Sequence, residues 1–222
     1  MKSTDQSESI RSDEFQWNDN RAPQSHSYLA PIVLGALRAI KQRSRRKSLK
    51  VLDIGCGNGA FTAMMAREGF EVVGCDYSKS GIEICRSTYP HLNFFQQDIN
   101  HPLPEHYHGS FDCVVSLEVI EHLFFPRNLF DRAKEALGDE GVLILSTPYH
   151  GYIKNLALAL ANKFDDHWHP LRDYGHIKFF SRRTLSQLVR ECGFDVKHFR
   201  RVGRVPPLAK SMVIVAKRSR EE

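Results

Sequence analysis

Hydrophobic runs of strand length alternate with segments of helical period between residues 50 and 148. Several of these runs are apolar without interruption, as strands buried on both faces require. The alternation is typical of βαβ units and predicts a mostly parallel sheet with helices on both faces. The predicted strands cover 50–55, 71–77, 93–98, 111–118 and 141–148, and the predicted helices cover 59–68, 79–88 and 127–137.

The alternation stops at residue 149. Residues 149–180 mix polar and apolar stretches, and a helix is predicted after them because apolar residues recur at helical spacing before Gly193. The runs "FDVKHFRRV" and "SMVIVAKR" predict two further strands that pair as a hairpin and complete the sheet. Residues 27–42 predict a leading helix. The apolar positions of the late helix are Leu185, Leu188, Val189 and Cys192.

The length of 222 residues and the hydrophobic content of 41% are typical of one α/β domain. We assign that domain to residues 15–222, because residues 1–14 are polar, carry mixed charge and predict a disordered tail. The tail lacks the apolar centre of a signal peptide. No apolar run approaches the roughly 20 residues that cross a bilayer. We therefore expect a soluble protein without a transmembrane segment, and contact with a membrane surface stays open.

The cysteines are odd in number, have no C-x-x-C spacing and fall mostly in apolar segments. This pattern argues against disulfides and zinc knuckles. It predicts buried free thiols and a cytoplasmic location. The five residues are Cys56, Cys75, Cys85, Cys113 and Cys192.

The net charge is +5, and basic residues concentrate at 41–50 and near the carboxyl terminus. Such a cluster suits contact with nucleic acid, anionic lipid or an acidic metabolite. A solvated loop before the first predicted strand explains the same residues, and we prefer that interpretation.

The stretch "VLDIGCGNGAF" places Gly55, Gly57 and Gly59 between a predicted strand and a predicted helix. Glycines allow a tight turn and close backbone approach, and the following helix presents free amides to a bound group. The spacing also satisfies the loosened dinucleotide pattern G-x-G-x-x-A, so the loop alone does not identify its ligand.

Acidic residues at three predicted strand ends narrow the choice of ligand. Asp76 is placed to accept hydrogen bonds from ribose hydroxyls, and Asp98 together with the Ile99 amide is placed to pair with adenine. Asp53 would repel a pyrophosphate but suits a ligand with an ammonium group and a sulfonium. The three acids therefore favour a cationic adenosine ligand over a dinucleotide.

The motifs "VLDIGCGNG", "GCDYS", "QQDI" and "FDCVVSLEVIEHL" resemble those of class I S-adenosylmethionine-dependent methyltransferases. The resemblance covers roughly residues 50 to 148. It implies a Rossmann-like, seven-stranded, mostly parallel sheet whose last strand is antiparallel, and binding of S-adenosylmethionine at the carboxyl ends of the strands. The cofactor-binding residues that we expect are Asp53, Gly55, Gly57, Gly59, Asp76, Tyr77, Asp98, Ile99 and Leu117.

The stretch "EVIEH" sets Glu118 at the end of the fourth predicted strand and Glu121 and His122 just beyond it. Two carboxylates and an imidazole form a set that binds Mg²⁺, and such an ion lowers the pKa of an acceptor hydroxyl. The stretch resembles the metal-binding segment of ubiquinone-biosynthesis O-methyltransferases and of small-RNA 2′-O-methyltransferases, which implies these three residues as metal ligands. The same resemblance implies His176 as a fourth ligand or a general base. The alternative is that Glu118 only holds the cofactor loop and His122 caps a helix.

Residues 149–180 follow the fifth predicted strand and lie on the same rim as the glycine loop, so we expect a lid that binds the acceptor. The pair His167 and His169 has the spacing of metal ligands in a strand, but surface histidines are the better interpretation. The pair Tyr174 and Lys178 has short-chain dehydrogenase spacing, but it needs a helix that Gly175 disfavours. The resemblance alone suggests that Trp17, His26 and Tyr28 complete the pocket.

These features predict a methyltransferase that acts on an oxygen of a small phenolic or quinol-like metabolite, with Glu118, His122 and His176 as catalytic residues. An RNA 2′-O-methyltransferase is one alternative, although the basic cluster has little aromatic interleaving. A non-catalytic module that binds S-adenosylmethionine and regulates a partner is the other alternative.

Overall fold

A computed structural model describes residues 15–44, 47–168 and 170–219. The predicted tail at 1–14 lies outside the described residues, and so does His169. The helices are α1 His26–Ser44, α2 Ala60–Arg67, α3 Lys79–Thr88, α4 Arg127–Ala136, α5 Tyr152–Leu160, α6 Phe164–Trp168 and α7 Arg182–Glu191. The strands are β1 Lys50–Ile54, β2 Glu71–Asp76, β3 Asn93–Gln96, β4 Phe111–Leu117, β5 Leu137–Pro148, β6 Phe194–Val202 and β7 Ser211–Arg218.

The strands form one sheet in the order β3-β2-β1-β4-β5-β7-β6. Strands β1 to β5 pair in parallel, whereas β7 is antiparallel to both β5 and β6. The predicted Rossmann-like, seven-stranded sheet with an antiparallel last strand is therefore confirmed. The strand order reverses between β1 and β4, and ligands of such sheets bind at this point, outside the carboxyl ends of the strands.

Strict alternation of side chains divides the core into two layers. In β5, Leu143 and Leu145 face the layer that contains α4 and α7, whereas Ile144 faces the layer that contains α1 and α2. All three side chains are fully buried. Helices therefore cover both faces of the sheet, as the uninterrupted apolar strands predict.

Helix α7 shows how local sequence sets an element boundary. Ser181 and Thr184 form a capping box, in which the Ser181 side chain accepts from the Thr184 amide and the Thr184 side chain accepts from the Ser181 amide. Gly193 ends the helix with a φ of 73°, which favours glycine. The predicted apolar face is buried at Leu185, Leu188, Val189 and Cys192.

Three features differ from the sequence expectation, and the first is that β5 begins at Leu137, the last residue of the predicted helix 127–137. Strand β3 ends at Gln96, so Asp98 lies beyond it. The Asp98 carboxylate accepts a hydrogen bond from the Asn100 amide at 2.8 Å and starts a turn there. The apolar stretch of the segment 149–180 forms the helix α5, and its polar part, expected to be an irregular loop, forms α6 before residue 169.

All five cysteines are buried and free, as predicted. Within the described ranges, no helix has both the length and the apolar character needed to cross a lipid bilayer.

The burial of the sheet centre predicts that the same Leu→Ala substitution costs much more free energy of unfolding in β5 than on the surface. Leu145→Ala removes a fully buried side chain from β5, and we expect it to lower the free energy of unfolding by roughly 2–5 kcal/mol because a cavity remains. Leu160→Ala is the matched control, because that side chain is 81% exposed and its loss should cost less than about 0.5 kcal/mol. Urea unfolding of both variants measures the difference, and equal losses would contradict the assignment of β5 to the sheet centre.

Candidate functional site

The glycine loop lies between β1 and α2, at the carboxyl edge of the sheet. Gly55, Gly57 and Gly59 have φ values of 79°, 56° and 77°. Such left-handed conformations strain any side chain, so the loop depends on glycine at these positions. The amides of Gly55 and Cys56 both donate to the carbonyl of Cys75, which ties the loop to the end of β2.

A segment that precedes α1 covers this loop. We call residues 15–21 the strap. The Trp17 indole packs so closely on Gly57 that a Cβ atom there would lie 2.5 Å from Trp17 Cζ2. The Ser78 hydroxyl donates to the Phe15 carbonyl at 2.8 Å, and the Asn58 amide group donates to the carbonyls of Asp19 and Arg21 at 3.0 and 2.9 Å. The sequence suggests Trp17 from resemblance alone and gives no sign that Ser78 and Asn58 hold the strap. Ser78 is recognisable in the sequence only as the N-cap of α3.

Two of the predicted cofactor acids lie at the glycine loop. Asp53 is 2% exposed and accepts from the Thr62 hydroxyl at 2.6 Å. Burial raises its pKa to about 7, against the Thr62 hydrogen bond, and the nearby Asp76 adds to the rise. Asp76 accepts from the Gly57 amide at 2.7 Å and from the Ser78 amide at 2.8 Å. The buried Asp53 therefore bonds the start of α2, and Asp76 bonds the loop itself.

The remaining predicted cofactor residues are spread along the same edge. Tyr77 follows β2 and is 44% exposed, whereas Leu117 ends β4 and is half-buried. Ile99 is half-buried against the layer of α4 and α7. Asp98 is turned toward its own loop, because it bonds Asn100 and lies 3.7 Å from His101 Nε2. The assignment of these residues to cofactor binding stays a prediction.

Glu118 is the first residue after β4 and has a left-handed backbone with a φ of 56°. Its two carboxylate oxygens accept from the hydroxyls of Ser146 and Ser211 at 2.7 and 3.0 Å. Tyr28 Oη lies 3.3 Å from Ser211 Oγ, so this network links β4, β5, β7 and α1. Burial raises the pKa of Glu118 to about 7, although both serines and the Lys154 cation act against the rise.

Glu121, His122 and His176 converge on one point. One potential ligand atom from each lies within 4.8 Å of the other two. Glu121 Oε1 lies 4.0 Å from His176 Nε2, and the rings of His122 and His176 are 4.8 Å apart. This cluster brings together two predicted metal ligands and the predicted fourth residue. Glu118 lies outside it, because its left-handed turn directs the carboxylate to the two serines.

Glu121 is held more firmly than its exposed neighbours. Its side chain is fully buried, and Oε2 accepts from the Thr147 hydroxyl at 2.9 Å. Its backbone carbonyl accepts from the amides of Ile177 and Lys178 at 2.9 and 3.0 Å. Oε1 is buried and has no hydrogen-bond partner among the described residues. Burial raises the pKa of Glu121 well above its usual range, and the Glu118 carboxylate adds to the rise.

The His122 ring is oriented by backbone carbonyls. Its Nδ1 lies 3.1 Å from the Tyr174 oxygen and 3.2 Å from the Gly175 oxygen, which favours the proton on Nδ1 and leaves Nε2 as a lone-pair donor. The ring is partly exposed, yet desolvation of its atoms lowers its pKa, against both carbonyls. A neutral His122 with a free Nε2 is the form that binds metals.

The lid has an apolar outer face and touches the strap. The Arg172 guanidinium lies 5.8 Å from the ring centre of Phe15. Trp168 stacks on Phe164 at 4.4 Å and meets Phe179 at 5.4 Å. The described lid residues 170–180 contain no helix, so Tyr174 and Lys178 lack the helix on which the dehydrogenase interpretation depends. The most exposed apolar lid residues are Tyr152, Ile153, Leu160 and Leu171.

Comparison with known proteins decides the family. Residues 25–198 match the family model described as a methyltransferase domain, which is more than three quarters of the chain. The chain belongs to this methyltransferase-domain family. The sequence resemblance to S-adenosylmethionine-dependent methyltransferases is therefore confirmed.

Two relatives of this methyltransferase are named ubiquinone biosynthesis O-methyltransferases. The protein from Dinoroseobacter shibae is 28% identical over 162 residues, which cover 71% of this chain and 64% of the relative. The protein from Azorhizobium caulinodans is 29% identical over 195 residues, which cover 82% of this chain and 76% of the relative. The match thus spans less than two thirds of the first relative's length.

A solved structure shares the fold of the methyltransferase. The magnesium protoporphyrin IX methyltransferase from Synechocystis, determined with SAH bound, aligns with a TM-score of 0.61 at 19% identity. The alignment covers 91% of this chain and 90% of that one. The fold and the family model agree on a methyltransferase.

The packing of Trp17 on the glycine loop predicts that two Gly→Ala variants of similar stability differ in their affinity for S-adenosylmethionine. Gly57→Ala and Gly69→Ala each place a side chain at positive φ, so each should lose roughly 1–2 kcal/mol of stability. Only Gly57→Ala also displaces Trp17, because no atom lies within 4 Å of a Cβ at Gly69. We expect the methyltransferase to lose at least about tenfold in S-adenosylmethionine affinity with Gly57→Ala alone, measured by calorimetric titration. Unchanged affinity would show that the strap and loop do not form the cofactor site.

The raised pKa of Asp53 predicts a pH dependence of stability. The folded state holds the Asp53 proton up to about pH 7, whereas an unfolded aspartate releases it near pH 4. The free energy of unfolding should therefore fall as pH rises through this window, and Asp53→Asn should reduce that fall by roughly 2–4 kcal/mol. Urea unfolding at pH 5 and pH 8 measures the effect. Asp195→Asn, at an exposed site on β6, should leave the fall unchanged.

Proposed function

We propose that this methyltransferase transfers the methyl group of S-adenosylmethionine to a hydroxyl oxygen of a small phenolic or quinol-like acceptor. The observation that carries the proposal is the cluster of Glu121, His122 and His176, which lies on the same sheet edge as the glycine loop. Such a cluster handles the proton of a hydroxyl, which methyl transfer to oxygen must remove. The names of the two ubiquinone-biosynthesis relatives support the same reaction.

The cluster also fits a divalent cation, and Mg²⁺ is part of the proposal. Glu121 Oε1 is a buried carboxylate oxygen without a partner among the described residues, and the two imidazoles supply nitrogen ligands beside it. Glu121, His122 and His176 would hold the ion, and Glu118 would join them only after releasing Ser146 and Ser211. A bound ion would lower the pKa of the acceptor hydroxyl and orient it.

Residues of the chain align the reacting atoms and provide a route for the acceptor's proton. Methyl transfer from a sulfonium needs the oxygen, the methyl carbon and the sulfur in line, so positioning accounts for much of the rate. Thr147 fixes the Glu121 carboxylate, and the Tyr174 and Gly175 carbonyls fix the His122 ring. If His176 does not bind the ion, its partly exposed side chain can instead accept the acceptor's proton and pass it to solvent. The strap packs on the glycine loop through Trp17 and shields it from water.

The RNA 2′-O-methyltransferase alternative rests on the basic residues at 41–50. The described part of that segment ends α1 and leads into the start of β1, so it lies at the amino edge of the parallel strands. The cluster lies at the opposite, carboxyl edge. This separation favours the small acceptor. A regulatory module without catalysis gains no support from the site, because it has no use for a buried Glu121 oxygen that lacks a partner among the described residues.

The cytoplasmic location and peripheral membrane contact are proposals as well. The apolar outer face of the lid supports contact with an apolar acceptor or a membrane surface. The reducing compartment fits five buried free thiols.

Turnover of the catalytic variants tests the proposed chemistry. We expect Glu121→Gln, His122→Ala and His176→Ala each to lower kcat by at least about 100-fold, because each removes a group that acts on the acceptor oxygen. Affinity for S-adenosylmethionine should stay within about twofold. His91→Ala, an exposed histidine before β3, is the control and should retain full activity. The assay follows methyl-labelled cofactor into a cell extract and identifies products by mass; labelled RNA as the main product would favour the alternative.

Removal of divalent cations tests the metal separately. Complete stripping with a chelator should lower turnover by at least about tenfold, and Mg²⁺ should restore it. Binding of S-adenosylmethionine, measured by titration on the stripped protein, should not change. Full activity after verified stripping would remove the metal and leave His176 as the general base.

A further inference from the structure

Residues 97–103 form a loop after β3, here called the β3 loop, which is bonded to itself at several points. The Gln97 side-chain amide donates to the carbonyls of Asp98 and His101 at 2.8 and 3.0 Å. Asp98 Oδ1 accepts from both the backbone and the side-chain amide of Asn100, at 2.8 and 2.9 Å. These bonds fix the shape of the loop, but they do not hold its far side against the rest of the protein.

Helix α4 holds the far side of the β3 loop. Arg132 Nη1 donates to the Ile99 carbonyl at 3.2 Å. The other two donors of this side chain, Nε and Nη2, bond the two carboxylate oxygens of Glu135 at 2.8 and 2.6 Å. Glu135 Oε2 also accepts from the Leu103 amide at 2.9 Å. One ion pair of α4 thus binds the loop at two positions.

This ion pair supplies geometry that apolar packing could not supply. Arg132 is only 9% exposed, and a buried ion pair is a costly way to add stability because both charges lose water. The guanidinium is a rigid fork of donors, so it serves a carboxylate and a carbonyl at once. Asn128 adds a second tie from the same helix, because its Nδ2 donates to Asn100 Oδ1 at 2.9 Å. Both ties fix the position of the β3 loop relative to α4.

The β3 loop held in this way presents one acceptor and one donor. Asp98 Oδ1 takes both Asn100 bonds, whereas Oδ2 lies 3.7 Å from His101 Nε2, beyond hydrogen-bond distance. None of the bonds described above uses the Ile99 amide. A carboxylate oxygen and the N–H of the next residue match the edge of adenine, which offers an amino donor and the N1 acceptor. Hypoxanthine reverses both groups, because it has a carbonyl oxygen and an N1–H at this edge.

We infer that Arg132, together with Glu135 and Asn128, positions the β3 loop so that the loop selects adenine. The three are positioning residues, because they act on the base only through the loop that they hold. The inference rests on the proposed function, because the ligand is taken to be S-adenosylmethionine with its adenine at Asp98 and Ile99. It makes α4, which contains none of the predicted cofactor residues, part of cofactor recognition.

Paired titrations of two nucleosides test the inference. S-adenosylhomocysteine and S-inosylhomocysteine differ only at the edge of the base, and each is titrated calorimetrically into the full chain. The wild type should bind the adenine compound at least about 30-fold more tightly, because hypoxanthine leaves two groups of the loop unpaired. Arg132→Met should cut this preference to about threefold or less, because the far side of the loop is released. A purely structural role would weaken the binding of both compounds equally and leave their ratio unchanged.

Two further variants keep the test decisive if Arg132→Met does not fold. Asn128→Ala removes one exposed hydrogen bond, so the protein should stay folded while the adenine preference falls by about threefold. Arg132→Lys keeps a cation beside Glu135 but loses the fork, so it should lower the preference as well. Arg127→Met is the matched control and should keep the wild-type preference. Its guanidinium lies on the same helix but pairs with Glu191 of α7.

The outcomes separate the inference from the proposed function. An unchanged ratio in both Asn128→Ala and Arg132→Lys would overturn the inference alone, and so would equal binding of the two compounds by the wild type. An adenine preference that depends on Arg132, in a protein that methylates no acceptor, would overturn the proposed methyl transfer and leave the inference standing. Failure of the wild type to bind S-adenosylhomocysteine would overturn both.

Discussion

The arrangement of the site depends on how Glu121 is held. Its carbonyl accepts from two lid amides, and its carboxylate accepts from Thr147 at the end of β5, so one residue ties together β4, β5 and the lid. The two histidines approach each other because this attachment fixes the chain on both sides of them. The remaining Glu121 oxygen is left facing the histidines. A buried charge with one unsatisfied oxygen is costly in a folded protein, and it is retained where a ligand or proton compensates for it.

The carboxyl edge of the sheet concentrates acidic groups that burial makes hard to ionise. Asp53, Glu118 and Glu121 all have raised pKa values, and burial is the main cause in each. Their ionised forms need positive charge nearby, which a sulfonium, an ammonium group or a divalent cation supplies. Ionisation of these buried acids near neutral pH therefore lowers the free energy of unfolding of the free protein. A cationic ligand bound at the same edge would offset that loss. Such an exchange of stability for binding is common at functional sites.

Much of this architecture is readable from the sequence because it is periodic. Uninterrupted apolar strands, helical spacing at Leu185 to Cys192 and a run of glycines at 55, 57 and 59 each have a direct physical meaning, and the structure bears out the fold that they imply. Side-chain partnerships are less readable. No local pattern indicates that Glu118 adopts a left-handed backbone and turns to Ser211, nearly a hundred residues away in sequence, or that Asp98 bonds its own loop.

Strand β7 has a consequence for how the enzyme is made. It is the last strand in the sequence, yet it lies between β5 and β6 and supplies Ser211 to Glu118. During synthesis, β6 has no place in the sheet until β7 has left the ribosome and inserted beside β5, because β6 pairs only with β7. The hydrogen-bonded network around Glu118 therefore requires β7 to be in place, because Ser211 lies on that strand. The β1–α2 glycine loop precedes β7 by about 150 residues, so the two parts of the candidate site come from distant parts of the chain and meet only in the folded sheet.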